Sequence, residues 1–144
     1  MAALDLEQIQ QLIPHRPPFL WIDRVTDVSE TAIQAEKFLD PSLPVFQGHY
    51  PDFSVFPGVL QCEMALQAGA ILVAQSVQVE QGQVPVATRI NNVKFKHLIR
   101  PGVTVQISAR LTERLANAFF FTGKVSVDGK TTATLEFACT AAEA

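Results

Sequence analysis

The segment PGVLQCEMALQAGAILVAQSV, residues 57–77, gives the strongest indication of the fold of this chain. From residue 59 onward, apolar side chains cover nearly every face of a helix, and such a helix is either buried or crosses a membrane. The span approaches membrane length, but it contains Gln61, Glu63 and Gln67, and a charge at bilayer depth is costly. The sequence therefore predicts one long buried helix over residues 59–77 of a protein that stays out of the membrane.

The sequence on both sides of this helix is typical of strands. Residues 103–112 alternate apolar and polar side chains, a strong period-two pattern, and Asp128-Gly129 is a hairpin signal. Further strands are predicted over 19–28, 31–39, 86–95, 119–127 and 131–140, after a short helix that Asp5 caps and Pro14 ends. This order predicts a single α+β domain, residues 1–144, in which an antiparallel sheet packs on one long central helix.

A long loop is predicted immediately before the central helix. Prolines and glycines are so dense over residues 40–58 that no regular element is expected there (Pro41, Pro44, Gly48, Pro51, Pro57 and Gly58). Long loops in compact domains are usually functional or disordered, and the aromatic residues of this one favour a packed, functional loop.

Composition excludes several classes of protein. The length of 144 residues fits one domain, and a net charge of −3 gives no basic excess for general nucleic-acid binding. Only 17% of residues are charged, against about 25% in most proteins, which favours contact between subunits. Cys62 and Cys139 have no metal-ligand spacing, and the N-terminus does not resemble a signal peptide, so a cytoplasmic location is expected.

Glu63 is the first candidate for chemistry because it is the only carboxylate of the central helix, which contains no Lys, Arg or His. An ionised carboxylate among apolar side chains is costly unless it is neutralised or gains a polar partner, and Gln67 lies one helical turn further on. The alternative interpretation is a helix face that reaches solvent.

His49 and the start of the helix are the other two candidates. Histidine exchanges a proton near neutral pH, although a loop histidine is often only held by backbone contacts. The central helix begins at Pro57-Gly58-Val59, where unpaired backbone amides can bind a carbonyl oxygen that gains negative charge. The alternative interpretation is that this segment only starts the helix. We also expect His15 and Arg16 to fix a turn. A basic cluster is either a solvated strand edge or a site for an acidic partner, and it consists of Lys94, Lys96, His97 and Arg100.

Taken together, these motifs resemble the β-hydroxyacyl-acyl-carrier-protein dehydratases of FabZ type over almost the whole chain. The resemblance rests on the segments LIPHRPPFL (12–20), DRV (23–25), FQGHYP (46–51), FPGVL (56–60), VKFK (93–96), RPG (100–102) and DGK (128–130). The GHYP segment followed by PGVL, with a glutamate five residues past the glycine, is its most specific part.

The resemblance implies a hot-dog fold, an antiparallel sheet wrapped around one long helix, and a homodimer that often assembles into a hexamer of three dimers. It implies removal of water from a (3R)-3-hydroxyacyl thioester in fatty-acid biosynthesis, without a metal or organic cofactor. His49 of one subunit would remove the C2 proton, and Glu63 of the other would protonate or orient the departing hydroxyl. The amides of Gly58 and Val59 would bind the thioester carbonyl. Supporting positions are Tyr50, Pro57 and Gln67, and the docking positions for an acidic acyl carrier protein are Lys94, Lys96 and Arg100.

Three positions depart from the family pattern. Proline often stands where this chain has Ser54, tyrosine commonly stands at the position of Pro17, and a gating aromatic residue would fall near Pro85-Val86. These departures leave acyl length, gating and the pathway open, so a dehydratase of a specialised lipid or polyketide route is an alternative. A hot-dog acyl thioesterase and a non-catalytic acyl-binding subunit are further alternatives, because a fold alone does not fix a function.

Overall fold

The computed structural model describes residues 2–76 and 82–143 of the chain. The strands are β1 (Ala2–Leu4), β2 (Arg24–Val28), β3 (Ala32–Phe38), β4 (Gln83–Phe95), β5 (Thr104–Leu115), β6 (Ala118–Val127) and β7 (Lys130–Glu143). The helices are α1 (Leu6–Leu12), α2 (Val45–Gly48) and α3 (Gly58–Ser76).

The seven strands form one antiparallel sheet in the order β1-β2-β3-β5-β6-β7-β4, and α3 packs across strands β3 to β7 on one face. The alternation predicted for β5 is confirmed, because Val105, Ile107 and Ala109 are buried against the helix. The helix approaches the sheet closely at Gly69, where an added Cβ would lie 2.7 Å from the ring of Phe137. The predicted α+β hot-dog architecture is therefore confirmed.

Several element boundaries differ from the predictions. The loop over residues 40–58 contains the one-turn helix α2, although no regular element is expected there. Such a short turn needs only two backbone hydrogen bonds, and these form in spite of the neighbouring prolines. Strand β2 begins at Arg24 rather than at residue 19, and β1 was not predicted, since three residues carry no periodic signal. Helix α1 begins as predicted, with a capping box between Asp5 and Gln8. Position 77 of the predicted central helix lies outside the described residues.

Strand β4 lies at one edge of the sheet and pairs only with β7 among the described strands. Its edge is long, and apolar side chains such as Val86, Ile90 and Phe95 are exposed along it. A long apolar edge of this kind promotes pairing with another chain. None of the helices in the described ranges has the length and hydropathy needed to span a bilayer.

Candidate active site

Glu63 lies on the first half of α3 and has a partner on its own helix. The side chain of Glu63 is 21% exposed, so it is partly buried rather than fully enclosed. Gln67, one turn along the helix, donates a hydrogen bond of 3.0 Å from Nε2 to Oε2 of Glu63. This contact holds one carboxylate oxygen, and no hydrogen bond within the described residues reaches the other oxygen, Oε1.

Gln67 is almost completely buried and is itself fixed by the backbone before β2. Its Oε1 accepts the amide hydrogen of Trp21 at 2.8 Å, and its Nε2 donates to the carbonyl oxygen of Phe19 at 2.9 Å. Because a backbone amide only donates and a carbonyl only accepts, the side-chain amide of Gln67 can take one orientation. That orientation points its second N–H at Glu63, so the segment around residue 20 positions the carboxylate.

His15 faces Glu63 from the turn after α1. Its Nε2 lies 3.6 Å from Oε2 of Glu63, and its Nδ1 is buried without a hydrogen-bond partner among the described residues. Arg16 fixes this turn, as predicted, by donating to the carbonyl oxygens of Gln10, Ile13 and His15. The contact between His15 and Glu63 was missed, because only the folded turn brings together two residues that are distant in the sequence.

A cavity of about 230 Å³ opens beside Glu63 and His15. Its wall is mostly apolar and consists of Leu66, Ala70, Pro85, Val86, Ala87, Phe137 and Cys139. Burial raises the pKa of the Cys139 thiol to about 11, so the thiol is neutral in this wall at physiological pH. Pro85 and Val86, the positions where the family resemblance anticipates a gating aromatic residue, form part of the wall.

His49 ends α2 and is held by its own loop. Its Nδ1 lies 2.9 Å from the carbonyl oxygen of Val55, which can only accept, so Nδ1 carries the hydrogen and donates it. The neutral ring therefore has a free lone pair on Nε2, which is the form that a general base requires. Tyr50, with a left-handed φ of 53°, packs its ring 4.5 Å from the His49 ring. Ser54 supports the same loop by donating to the carbonyl oxygen of Phe46.

The start of α3 has the geometry of an open amide pair. The carbonyl oxygen of Pro57 accepts the amide hydrogens of Leu60 and Gln61. In the described part of the chain, the amides of Gly58 and Val59 donate no hydrogen bond. Those amides point outward from the positive end of the helix dipole. An added Cβ at Gly58 would lie 2.9 Å from the exposed ring of Phe95, so a larger residue there would have to displace this ring from the helix start.

The fold brings together some of the predicted site residues and separates others. Glu63 and Gln67 are in contact, but no hydrogen bond or ion pair in the described part of the chain joins His49 to Glu63. The basic cluster is also divided. Arg100 stacks on the exposed ring of Phe53 at 3.9 Å, near the end of the His49 loop, while Lys94 lines a polar hollow on the outer face of the sheet.

Comparison of the sequence with known proteins shows the family to which this chain belongs. The profile of the ApeI-like family, described as ApeI dehydratase, matches residues 25–136. The 3-hydroxyacyl-[acyl-carrier-protein] dehydratase FabZ of Rickettsia felis is 37% identical over 93% of this chain and 93% of its own length. FabZ of Oleidesulfovibrio alaskensis is 39% identical over 94% and 89% of the two chains.

A solved structure supports the fold independently. The dehydratase heterocomplex ApeI:P from Xenorhabdus doucetiae superposes with a TM-score of 0.80 over 94% of this chain and 91% of the matched chain. At 16% identity, this similarity concerns the fold alone.

Proposed function

This chain belongs to the family of FabZ-type and ApeI-like dehydratases and is a 3-hydroxyacyl-[acyl-carrier-protein] dehydratase, and we propose that it pairs His49 of one subunit with Glu63 of another. The observation that carries the proposal is the position of Glu63, the only carboxylate of α3, on the wall of a mostly apolar cavity. An acyl chain fits such a wall, and the carboxyl group supplies the one acidic function that the leaving hydroxyl needs.

The first half of the proposed reaction is removal of the C2 proton. The thioester carbonyl accepts hydrogen bonds from the amides of Gly58 and Val59, which lowers the cost of negative charge on that oxygen. His49 takes the C2 proton on Nε2, because Nδ1 is engaged as a donor to the carbonyl of Val55. The imidazolium that forms keeps that hydrogen bond, so the ring does not reorient during the step.

The second half is loss of the hydroxyl. The C2–H electron pair forms the double bond to C3 as the C3–O bond breaks, and Glu63 delivers a proton to the departing oxygen. Oε2 of Glu63 already accepts a hydrogen bond from Gln67. The transferred proton therefore belongs on Oε1, which has no hydrogen-bond partner among the described residues. The products are a trans-2-enoyl thioester and water, and return of one proton from His49 to Glu63 resets the pair.

The proposed partner of each subunit is a second copy of the chain. The free edge of β4 exposes Val86, Ile90 and Phe95, and Val86 also lines the Glu63 cavity. Pairing of two β4 edges would bury this apolar surface and place a second chain beside the cavity. We therefore propose a homodimer with shared sites, which can assemble further as three dimers in the cytoplasm.

The acyl carrier protein is the proposed substrate carrier, and Arg100 and Lys96 are its proposed contacts. Both side chains are exposed, and Arg100 lies over Phe53 on the loop that carries His49. We expect Arg100→Glu to raise KM about 3- to 10-fold for a carrier-protein substrate through charge repulsion. Turnover of a short thioester without the carrier should not change, and Lys124→Glu, on the outer face of the sheet, serves as the matched control.

The activity test follows the absorbance of the conjugated enoyl thioester formed from a 3-hydroxyacyl carrier-protein substrate. The purified protein should produce this absorbance, and His49→Ala should abolish it. An unchanged rate in His49→Ala would reject the proposed base. Release of free thiol, followed with a thiol reagent, would instead indicate the thioesterase alternative.

A specialised lipid or polyketide pathway is the second candidate, because Pro85 and Val86, where the family resemblance anticipates a gating aromatic residue, form part of the cavity wall. Graded acyl substrates distinguish the two. A fatty-acid enzyme should accept saturated chains over a range of lengths, whereas a specialised enzyme should turn over only a narrow subset of them.

A further inference from the structure

We propose that His15 is a positioning residue for Glu63, and this inference rests on the proposed role of Glu63 as the acid. Nε2 of His15 lies 3.6 Å from Oε2 of Glu63, at the mouth of the cavity that both residues line. This separation is longer than a hydrogen bond, but catalytic contacts that are long without substrate commonly shorten in the complex.

The surroundings of His15 favour one form of its ring. Nδ1 is buried and has no hydrogen-bond partner among the described residues, so a hydrogen on Nδ1 would be a buried donor without an acceptor. Nε2 faces a carboxylate, which is a strong acceptor. These surroundings therefore favour a hydrogen on Nε2, directed at Glu63.

Two donors then converge on the same oxygen of Glu63. Gln67 donates to Oε2 from one side, and His15 is directed at Oε2 from the other. The turn that carries His15 is rigid, because Arg16 binds three carbonyl oxygens of residues 10–15. The pair of donors keeps Oε2 from turning into the cavity and leaves Oε1 as the atom that carries the proton to the substrate.

The test compares His15→Phe, which keeps a ring but has no donor, with His15→Gln, whose side-chain amide can replace the donor. We expect His15→Phe to lower kcat about 10- to 100-fold with little change in KM, because it removes a hydrogen bond to the carboxylate that forms as Glu63 gives up its proton. His15→Gln should recover most of that loss, and the thermal midpoints of both variants should match the wild type. Full activity in His15→Phe, or equal losses in two well-folded variants, would overturn the inference.

If His15→Phe does not fold, the nitrogen NMR spectrum of the histidine rings in the intact protein tests the inference, because it distinguishes the two tautomers of His15. The chain has three histidines, so the signals are assigned with His49→Ala and His15→Gln. A signal from the Nε2–H tautomer of His15 supports the inference, and a signal from the Nδ1–H tautomer refutes it. Failure of the proposed role of Glu63 is seen separately, because Glu63→Gln would then retain dehydratase activity.

Discussion

Two inactive variants, His49→Ala and Glu63→Gln, should restore activity when they are combined in one dimer. Within one chain, no described contact joins the two side chains, and the Glu63 cavity lies beside the free edge of β4. In a dimer with a two-fold axis, each site would take its base from one subunit and its acid from the other. A hybrid dimer then has one site with both residues intact and one site with neither.

The size of the effect follows from this symmetry. Hybrid dimers isolated with two affinity tags after co-expression should have about half of the wild-type kcat per dimer. A random mixture, in which about half of the dimers are hybrid, should reach about one quarter. Each parent variant alone should remain at background in the enoyl absorbance assay.

The matched control is a hybrid between the wild-type chain and a chain that carries both substitutions. Shared sites predict that this hybrid is inactive, because each site lacks one residue. Sites made within one chain predict the reverse result for both hybrids. Activity in the control together with inactivity in the first hybrid would refute the shared site.

Further predictions concern the site and its support. Gln67→Leu leaves the buried amide of Trp21 and the partly buried carbonyl of Phe19 unpaired, so denaturant unfolding should show a loss of about 2–4 kcal/mol. Gly69→Ala should cost about 1–3 kcal/mol by displacing the ring of Phe137, whereas Gly48→Ala, with no atom within 4 Å of the new Cβ, should change stability by less than about 1 kcal/mol. The Cys139 thiol, with its pKa raised to about 11 from 9.0, should alkylate slowly at pH 8 and faster towards pH 11. Because only the folded state raises this pKa, its contribution to stability is complete below pH 9 and should fall between pH 9 and 11.

The central helix and the sheet were accessible from the sequence because their signals are local. The apolar run around Glu63 indicates a buried helix, and the alternation over residues 103–112 indicates a half-buried strand. Both patterns can be recognised from residues that are close in the sequence. The partner of Glu63 on its own helix was also accessible, since a spacing of four residues places Gln67 on the same face. By contrast, His15 precedes two prolines in an irregular segment, where no periodic pattern indicates which way a side chain points.

The same limit applies to the basic cluster. Lys94 and Arg100 are close in sequence and were grouped for that reason. The strand β4 ends between them, so one side chain lies on the outer face of the sheet and the other stacks on Phe53. Their separation depends on where a strand stops and how the next loop turns, and distant backbone pairing decides both.

The α+β class, the long buried helix and the residue types of the proposed chemistry can be predicted from the sequence, because helix periodicity, strand alternation and proline content act over a few neighbouring positions. The engaged oxygen of Glu63, the free nitrogen of His49 and the segments that line the cavity are visible only in the folded chain. Those properties depend on hydrogen bonds and packing between residues that are far apart in the chain, and their geometry exists only after the whole sheet has closed around the helix.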